Sequence, residues 1–336
     1  MTILMRAAVW LVLATGIAEA FSAAGAATLR EEAGTYSSGD VELAGLLLLP
    51  TGRGPHPAAV IIQGSGDSDR TNGWARSISE TIAEAGYAVL LTDKRGSGAS
   101  GGDWHSGGFE VLADDALAGL SYLASRPSID KSRIGLVGLS QGGRVVPVAA
   151  ARSDAVAFAI NIVGDAVSFA EQSAHEMSNV ARQAKLPEPL REQVLQLNAA
   201  AGRALLTGDW SEYARLREAG LAAPWAPVAR GFPPVGDPIW TFYGKAFAFD
   251  PMPYWTLVRR PALILYGEQD EADNVAVAES VRRLRFGFGV VGKDNYEIVV
   301  LPGVGHSLGW TSEGGLGAGA IPAIRDWLAA NVRQDE

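Results

Sequence analysis

Short apolar runs separated by glycine and proline signals alternate along this chain with stretches whose apolar residues recur every three or four positions. Val41–Leu49, Ala58–Ile62, Tyr87–Thr92, Ile134–Val137, Phe158–Val163, Ala262–Tyr266 and Glu297–Leu301 read as strands. Between them, 74–85, 109–124, 144–152, 273–285 and 321–331 carry helical spacing, for example Leu112, Ala116, Leu120 and Leu123. Strands apolar on both faces and alternating with helices predict a mostly parallel sheet covered on both sides. One interval breaks the alternation. From 165 to 258 the pattern is helical only: Leu190, Val194, Leu197 and Ala201 share a face, and aromatic residues and prolines crowd 225–255. The expected organisation is therefore a core of 28–164 and 259–336, interrupted by a helical cap or lid at 165–258.

The N-terminus modifies this picture. One early positive charge, an apolar Ala7–Ala18 run and small-x-small sites at Ala18-Glu19-Ala20 and Ala24-Gly25-Ala26 predict a cleaved signal peptide over 1–27. That run is shorter than the ~20 residues a spanning helix needs, so no stable membrane span is expected after cleavage, and the mature protein should be exported, periplasmic or secreted. The net charge of -9 carries no basic run and excludes a nucleic-acid partner. With no cysteines there are no disulfides or thiolate metal sites. Neither composition nor motif bears on oligomeric state.

Chemistry concentrates where the central run ends. Gly138-Leu139-Ser140-Gln141-Gly142 lies between a strand and a helix, the setting of a nucleophile elbow that exposes a serine hydroxyl at a sharp turn. Among 40 glycines the pentapeptide is weak evidence without partners. In this topology the acid and then the histidine follow the serine. Of the four histidines, His306 stands just past the last strand, where loops gather above a parallel sheet. His56 precedes a strand, His105 is in a glycine-rich loop, and His175 falls in the helical interval. Asp270, a few residues past the preceding strand, is the favoured acid, with Glu268, Asp273 and Asp165 as alternatives. Donors for a developing oxyanion are expected from the backbone N–H of Gln141 and of Ser65, in the side-chain-poor loop Gln63-Gly64-Ser65-Gly66.

These stretches, with Asp69-Arg70, Asp93-x-Arg95-Gly96-x-Gly98-x-Ser100, Asp250-Pro251 and Gly305-His306, resemble α/β-hydrolase-fold serine hydrolases. The similarity is greatest to exported bacterial esterases related to dienelactone hydrolases and serine aminopeptidases. It spans about 40–333. Many relatives carry His-Gly where Gln63-Gly64 stands, and Val-Pro after the acid where this chain has Asp273-Asn274-Val275. The resemblance implies an α/β-hydrolase fold and acyl transfer through Ser140, His306 and Asp270 without a cofactor. It also implies a small-molecule ester with an apolar group as substrate. A serine aminopeptidase or acyl-peptidase would use the same residues and would need an anchor in the insertion, such as Glu171 or Glu176. A binding protein that kept the pocket but lost turnover is the third reading. Two Gly-x-Gly-x-x-Gly matches, at 96–101 and 287–292, lack the strand-helix-strand setting of a dinucleotide site, and no His-Glu-x-x-His or cysteine cluster suggests a metal.

Overall fold

A computed structural model describes residues 29–332. The expected signal peptide at 1–27 lies outside the described residues. Eight strands form one sheet: β1 (Arg30–Ser38), β2 (Val41–Leu49), β3 (His56–Ile62), β4 (Ala88–Thr92), β5 (Ile129–Leu139), β6 (Ala159–Ile162), β7 (Ala262–Gly267) and β8 (Tyr296–Leu301). Their order is β1-β2-β4-β3-β5-β6-β7-β8. The first two pairings, β1 with β2 and β2 with β4, are antiparallel, and the rest are parallel.

Side-chain alternation divides the core into two layers. Val60, Leu90, Leu136 and Ile264 point to one face, beneath α2 (Phe109–Ala124), α3 (Gln141–Arg152) and α10 (Val277–Val291). Their neighbours Ile61, Leu91, Val137 and Leu263 point to the other, beneath α1 (Gly73–Glu84) and α11 (Ala320–Asn331). All of these strand side chains are buried, which explains runs that are apolar at every position.

Two features depart from the sequence expectation. The sequence predicts no strand before Val41, yet Arg30–Ser38 forms β1, an edge strand in register with the whole of β2. Only Tyr36 and Ser38 of this strand are buried, so it carries no apolar run. The helix expected at 273–285 starts later, at Val277, because Glu268–Ala272 forms a 3-10 turn; it then continues to Val291, with Phe288 buried against the core. The glycines of 287–292 therefore belong to the end of a helix and its left-handed cap at Gly292.

Between β6 and β7 the chain forms α4 (Phe169–Gln183), α5 (Glu188–Thr207), α6 (Ser211–Leu221), α7 (Ala226–Ala229), α8 (Ile239–Ala246) and α9 (Met252–Trp255). Val194, Leu197, Tyr213, Trp225 and Phe232 make a small core of their own. The segment meets the sheet layer through aromatic contacts, Phe242 against Trp104 and Phe249 against Phe109, with ring centroids 5.3 and 4.2 Å apart.

Candidate active site

The C-terminal ends of β3, β5, β7 and β8 bring four loops to one edge of the sheet. Ser140 sits at the tip of β5, at φ 51° and ψ −116°, a conformation that side-chain-bearing residues rarely adopt. Glycine is required around it. A Cβ on Gly138 would run into the Gly142 carbonyl, and one on Gly142 into the Ile62 carbonyl. The Ser140 N–H donates to the Ile162 carbonyl at 2.8 Å, so neighbouring strand β6 holds the turn.

His306, five residues past the end of β8, reaches back across the sheet edge. Its Nε2 lies 2.9 Å from Ser140 Oγ and its Nδ1 lies 2.8 Å from Asp270 Oδ2. This network is satisfied when Nδ1–H donates to Asp270 and Nε2 accepts from the serine hydroxyl. Asp270 is fully buried, and its other oxygen accepts from the Val275 N–H at 3.3 Å. Its backbone carbonyl accepts from the N–H groups of Asp273, Asn274 and Val275, so the loop wraps around the acid without a Val-Pro step. Asn274 contributes a contact the sequence did not announce: its Nδ2 lies 3.4 Å from His306 Nε2.

The alternative acids are engaged elsewhere. Glu268 accepts from the Gly303 N–H, Asp273 from Gln183, and Asp165 from Arg144. Of the other histidines, His175 bonds to the Glu271 carbonyl, His105 to Asp103, and His56 opens β3 at the opposite edge.

Ser65 and Gln141 border the same cleft as Ser140 and His306. Gln141 is the first residue of α3, where N–H groups have no intrahelical acceptor and the helix dipole favours negative charge. Gln63 anchors the Ser65 loop. Its Nε2 donates to the carbonyls of Asp69 and Thr92, and its Oε1 accepts from Ser68 Oγ. Asp93 fixes the next loop, receiving Arg70 at both oxygens and the Ala99 N–H. Although burial opposes it, Arg70 and these N–H groups hold the Asp93 carboxyl below its ordinary value.

Comparison with known proteins gives matches of two kinds. The prolyl oligopeptidase family model matches residues 74–192, a stretch that includes Ser140 but neither Asp270 nor His306. Among solved structures, an esterase from Pyrococcus furiosus superposes with a TM-score of 0.60 at 18% identity, covering 91% of this chain and 92% of its own. A proline iminopeptidase-related protein from Thermus thermophilus gives 0.57 at 25%, covering 90% and 99%. A dienelactone hydrolase from Anabaena variabilis gives 0.53 at 16%, covering 91% and 99%. The fold is that of the α/β hydrolases. Taken together, the matches support a serine hydrolase and leave ester and peptide substrates undivided.

Within this fold the cleft above Ser140 has a volume of about 760 Å³, bounded on the insertion side by Phe169, Gln172, Glu176, Pro233, Ile239 and Tyr243. Two charged residues beneath it escaped sequence reasoning. Lys94, two residues past the end of β4, is buried, and Arg144, one turn into α3, pairs with Asp165 while its Nη1 has no partner. A signal for Lys94 existed, since it is a charge placed at the ligand-binding edge of a parallel sheet just past an apolar strand. Glu171 caps α4 through Ser168 and meets Arg283. Glu176 makes no hydrogen bond, and burial pushes its carboxyl up from the ordinary value, against the pull of His306 and Arg144. Among the described residues, no helix is long and apolar enough to cross a membrane, and no group of three His, Asp or Glu side chains is arranged to hold a metal ion.

Proposed function

We propose that this chain is an exported serine hydrolase that cleaves small-molecule carboxylic esters bearing an apolar group. The observation that carries the reading is the position of His306, within hydrogen-bond distance of Ser140 Oγ on one side and Asp270 on the other. In the proposed reaction His306 Nε2 takes the hydroxyl proton as Ser140 Oγ attacks the ester carbonyl. The resulting oxyanion faces the N–H groups of Ser65 and Gln141. The tetrahedral species collapses as the imidazolium returns its proton to the leaving alcohol, giving an acyl-enzyme. Water, deprotonated by the same nitrogen, attacks the acyl carbonyl and releases the acid and Ser140. Asp270 holds the imidazole in the required tautomer and stabilises the imidazolium. Every step uses side chains, these two backbone N–H groups and water, with no cofactor.

Intact-mass analysis after incubation with an alkyl fluorophosphonate tests this reading. The expected result is a single adduct on Ser140, absent from Ser140→Ala. An adduct elsewhere, or none, overturns it.

A specific observation favours a second reading, an aminopeptidase. Glu176 is an unpaired carboxyl on α4 at the cleft, where it could receive a substrate ammonium group. Of the two acids expected as anchors, Glu171 is already committed to its helix cap and Arg283.

A further inference from the structure

A second chamber, of about 790 Å³, lies within the helical insertion. It shares Phe169, Gln172, Glu176, Pro233 and Tyr243 with the cleft above Ser140, so the two are neighbours across one layer of side chains. Beyond that boundary its walls are largely apolar, among them Met177, Val180, Leu195, Ala201, Leu205 and Phe247. Of the polar residues that border it, Ser173 donates to Asn198 along the wall, Arg203 pairs with Glu212, and Gln172 bonds to the backbone of Asn274 and Ala276, which leaves the Glu176 carboxyl at the boundary without a hydrogen bond. Leu195 and Leu206 are 39% and 71% exposed on the same wall, so the far end reaches the surface. A space of this size and lining, adjoining the cleft that holds the candidate nucleophile, suits a flexible hydrocarbon chain better than a polar ligand.

Resting on the esterase reading above, we propose that this chamber receives the linear alkyl chain of the substrate ester. The chain would run from the Ser140 cleft between α4 and α5 toward the outer wall. Burial raises the Glu176 carboxyl from its ordinary value, against the pull of His306 and Arg144.

The test is kcat/KM across graded p-nitrophenyl acyl esters and, separately, graded n-alkyl acetates, for the wild type, Met177→Trp, Leu205→Trp and Ser140→Ala. One series should rise with length, by up to about fourfold per methylene, and which series rises shows whether the acyl or the alcohol chain enters. Both tryptophan variants should lower the long-to-short ratio of that series by about tenfold or more. A wild type that prefers acetyl esters of short alcohols overturns the proposal, as do ratios within about threefold of wild type in both variants. Because the ratio is internal to each variant, a partial loss of folding does not mimic the effect. Turnover that survives Ser140→Ala instead refutes the catalytic reading beneath it.

A different observation carries a second inference. Lys94 Nζ donates to the carbonyls of Gly64 and Gly66, at 3.0 and 3.1 Å, and to Gln141 Oε1 at 2.7 Å. It also lies 4.0 Å above the Trp104 ring, and no carboxylate touches it. All three acceptors belong to the two segments that supply the candidate oxyanion N–H groups, flanking Ser65 on both sides and leading into α3. We infer that Lys94 is a positioning residue that locks the Ser65 loop to the nucleophile turn and so fixes the spacing between the two donors.

Lys94→Met should reduce kcat by about 100-fold or more with KM within about threefold, counted per titrated serine, and should weaken a trifluoromethyl ketone inhibitor in parallel with kcat/KM. Gln141→Met, which keeps the N–H and breaks one strand of the clamp, should show the same pattern at smaller size. A lower melting temperature with kcat and inhibitor affinity unchanged in either variant overturns the inference, since a merely structural lysine would leave both untouched.

Discussion

Replacing Arg144 with methionine isolates the energetics of the charge beneath the cleft. The guanidinium bonds to Asp165 Oδ2 through Nε at 2.8 Å and Nη2 at 2.6 Å, and both side chains are under 10% exposed. Its faces lie 5.4 and 5.7 Å from the Phe169 and Phe109 rings. Unit charges about 4 Å apart attract by about 4 kcal/mol at an effective dielectric of 20, and breaking a buried pair typically destabilises by about 3–5 kcal/mol. Methionine fills much of the vacated volume, so the loss should be near 4 kcal/mol at pH 7, or about 8 °C in melting temperature for a protein of this size.

The pH dependence supplies the sharper test. Burial raises the Asp165 pKa above its ordinary 3.8 while Arg144 pulls it down. A carboxyl with a raised folded pKa loses stability as pH rises from its unfolded to its folded value, because the folded state binds more protons in that window. Without Arg144 the window extends upward, so the deficit of Arg144→Met relative to wild type should grow with pH, by at most about 1.4 kcal/mol per unit. Arg144→Met/Asp165→Asn removes the buried charge altogether and should recover most of the loss without a pH slope. Urea titrations at pH 5, 6 and 7 measure all three proteins. A deficit that is independent of pH, or below about 1 kcal/mol at pH 7, refutes the reasoning.

Other outcomes follow from the same geometry. Asp270→Asn should lower kcat by about three to four orders of magnitude with little change in KM, because it removes the acceptor that holds the His306 tautomer, whereas Asp273→Asn should have little effect on the pre-steady-state burst or kcat. Burial pulls the Lys94 pKa down to about 7 from 10.5, so unfolding should take up close to one proton between those values and stability should rise with pH across that window, a trend absent from Lys94→Met. Activity should fall as pH rises through about 7, since a neutral amine has only two N–H groups for three acceptors; calorimetry in buffers of different ionisation enthalpy and a pH–rate profile read the two effects. Glu176→Gln should depress cleavage of aminoacyl anilides more than cleavage of uncharged esters, and equal effects on both would remove the ammonium-anchor reading.

The sheet was legible because its strands are buried on both faces: β2 and α2 begin and end where their apolar patterns do. β1 was not, since an edge strand with exposed Arg30, Glu31 and Ala33 is held by backbone pairing to β2, and backbone pairing leaves no apolar trace. The meeting of Ser140, His306 and Asp270 follows from chain order and the ends of β5, β7 and β8, so it could be anticipated without coordinates. The pairings of Asp165 with Arg144 and of Lys94 with three neutral oxygens could not, because each joins segments whose spacing in the sequence carries no information about contact. Helical periodicity announced α5, yet the hollow between it and α4 depends on how far apart the two pack. Periodicity records which face is buried and says nothing about that separation.

The most direct measurement of the central claim compares purified protein on p-nitrophenyl esters of graded acyl length and on aminoacyl and peptidyl p-nitroanilides, with Ser140→Ala as the control. Rapid ester cleavage that disappears with Ser140→Ala, with much slower cleavage of every anilide, is the expected result. Preferential anilide cleavage, or ester turnover that persists without the Ser140 hydroxyl, would contradict it.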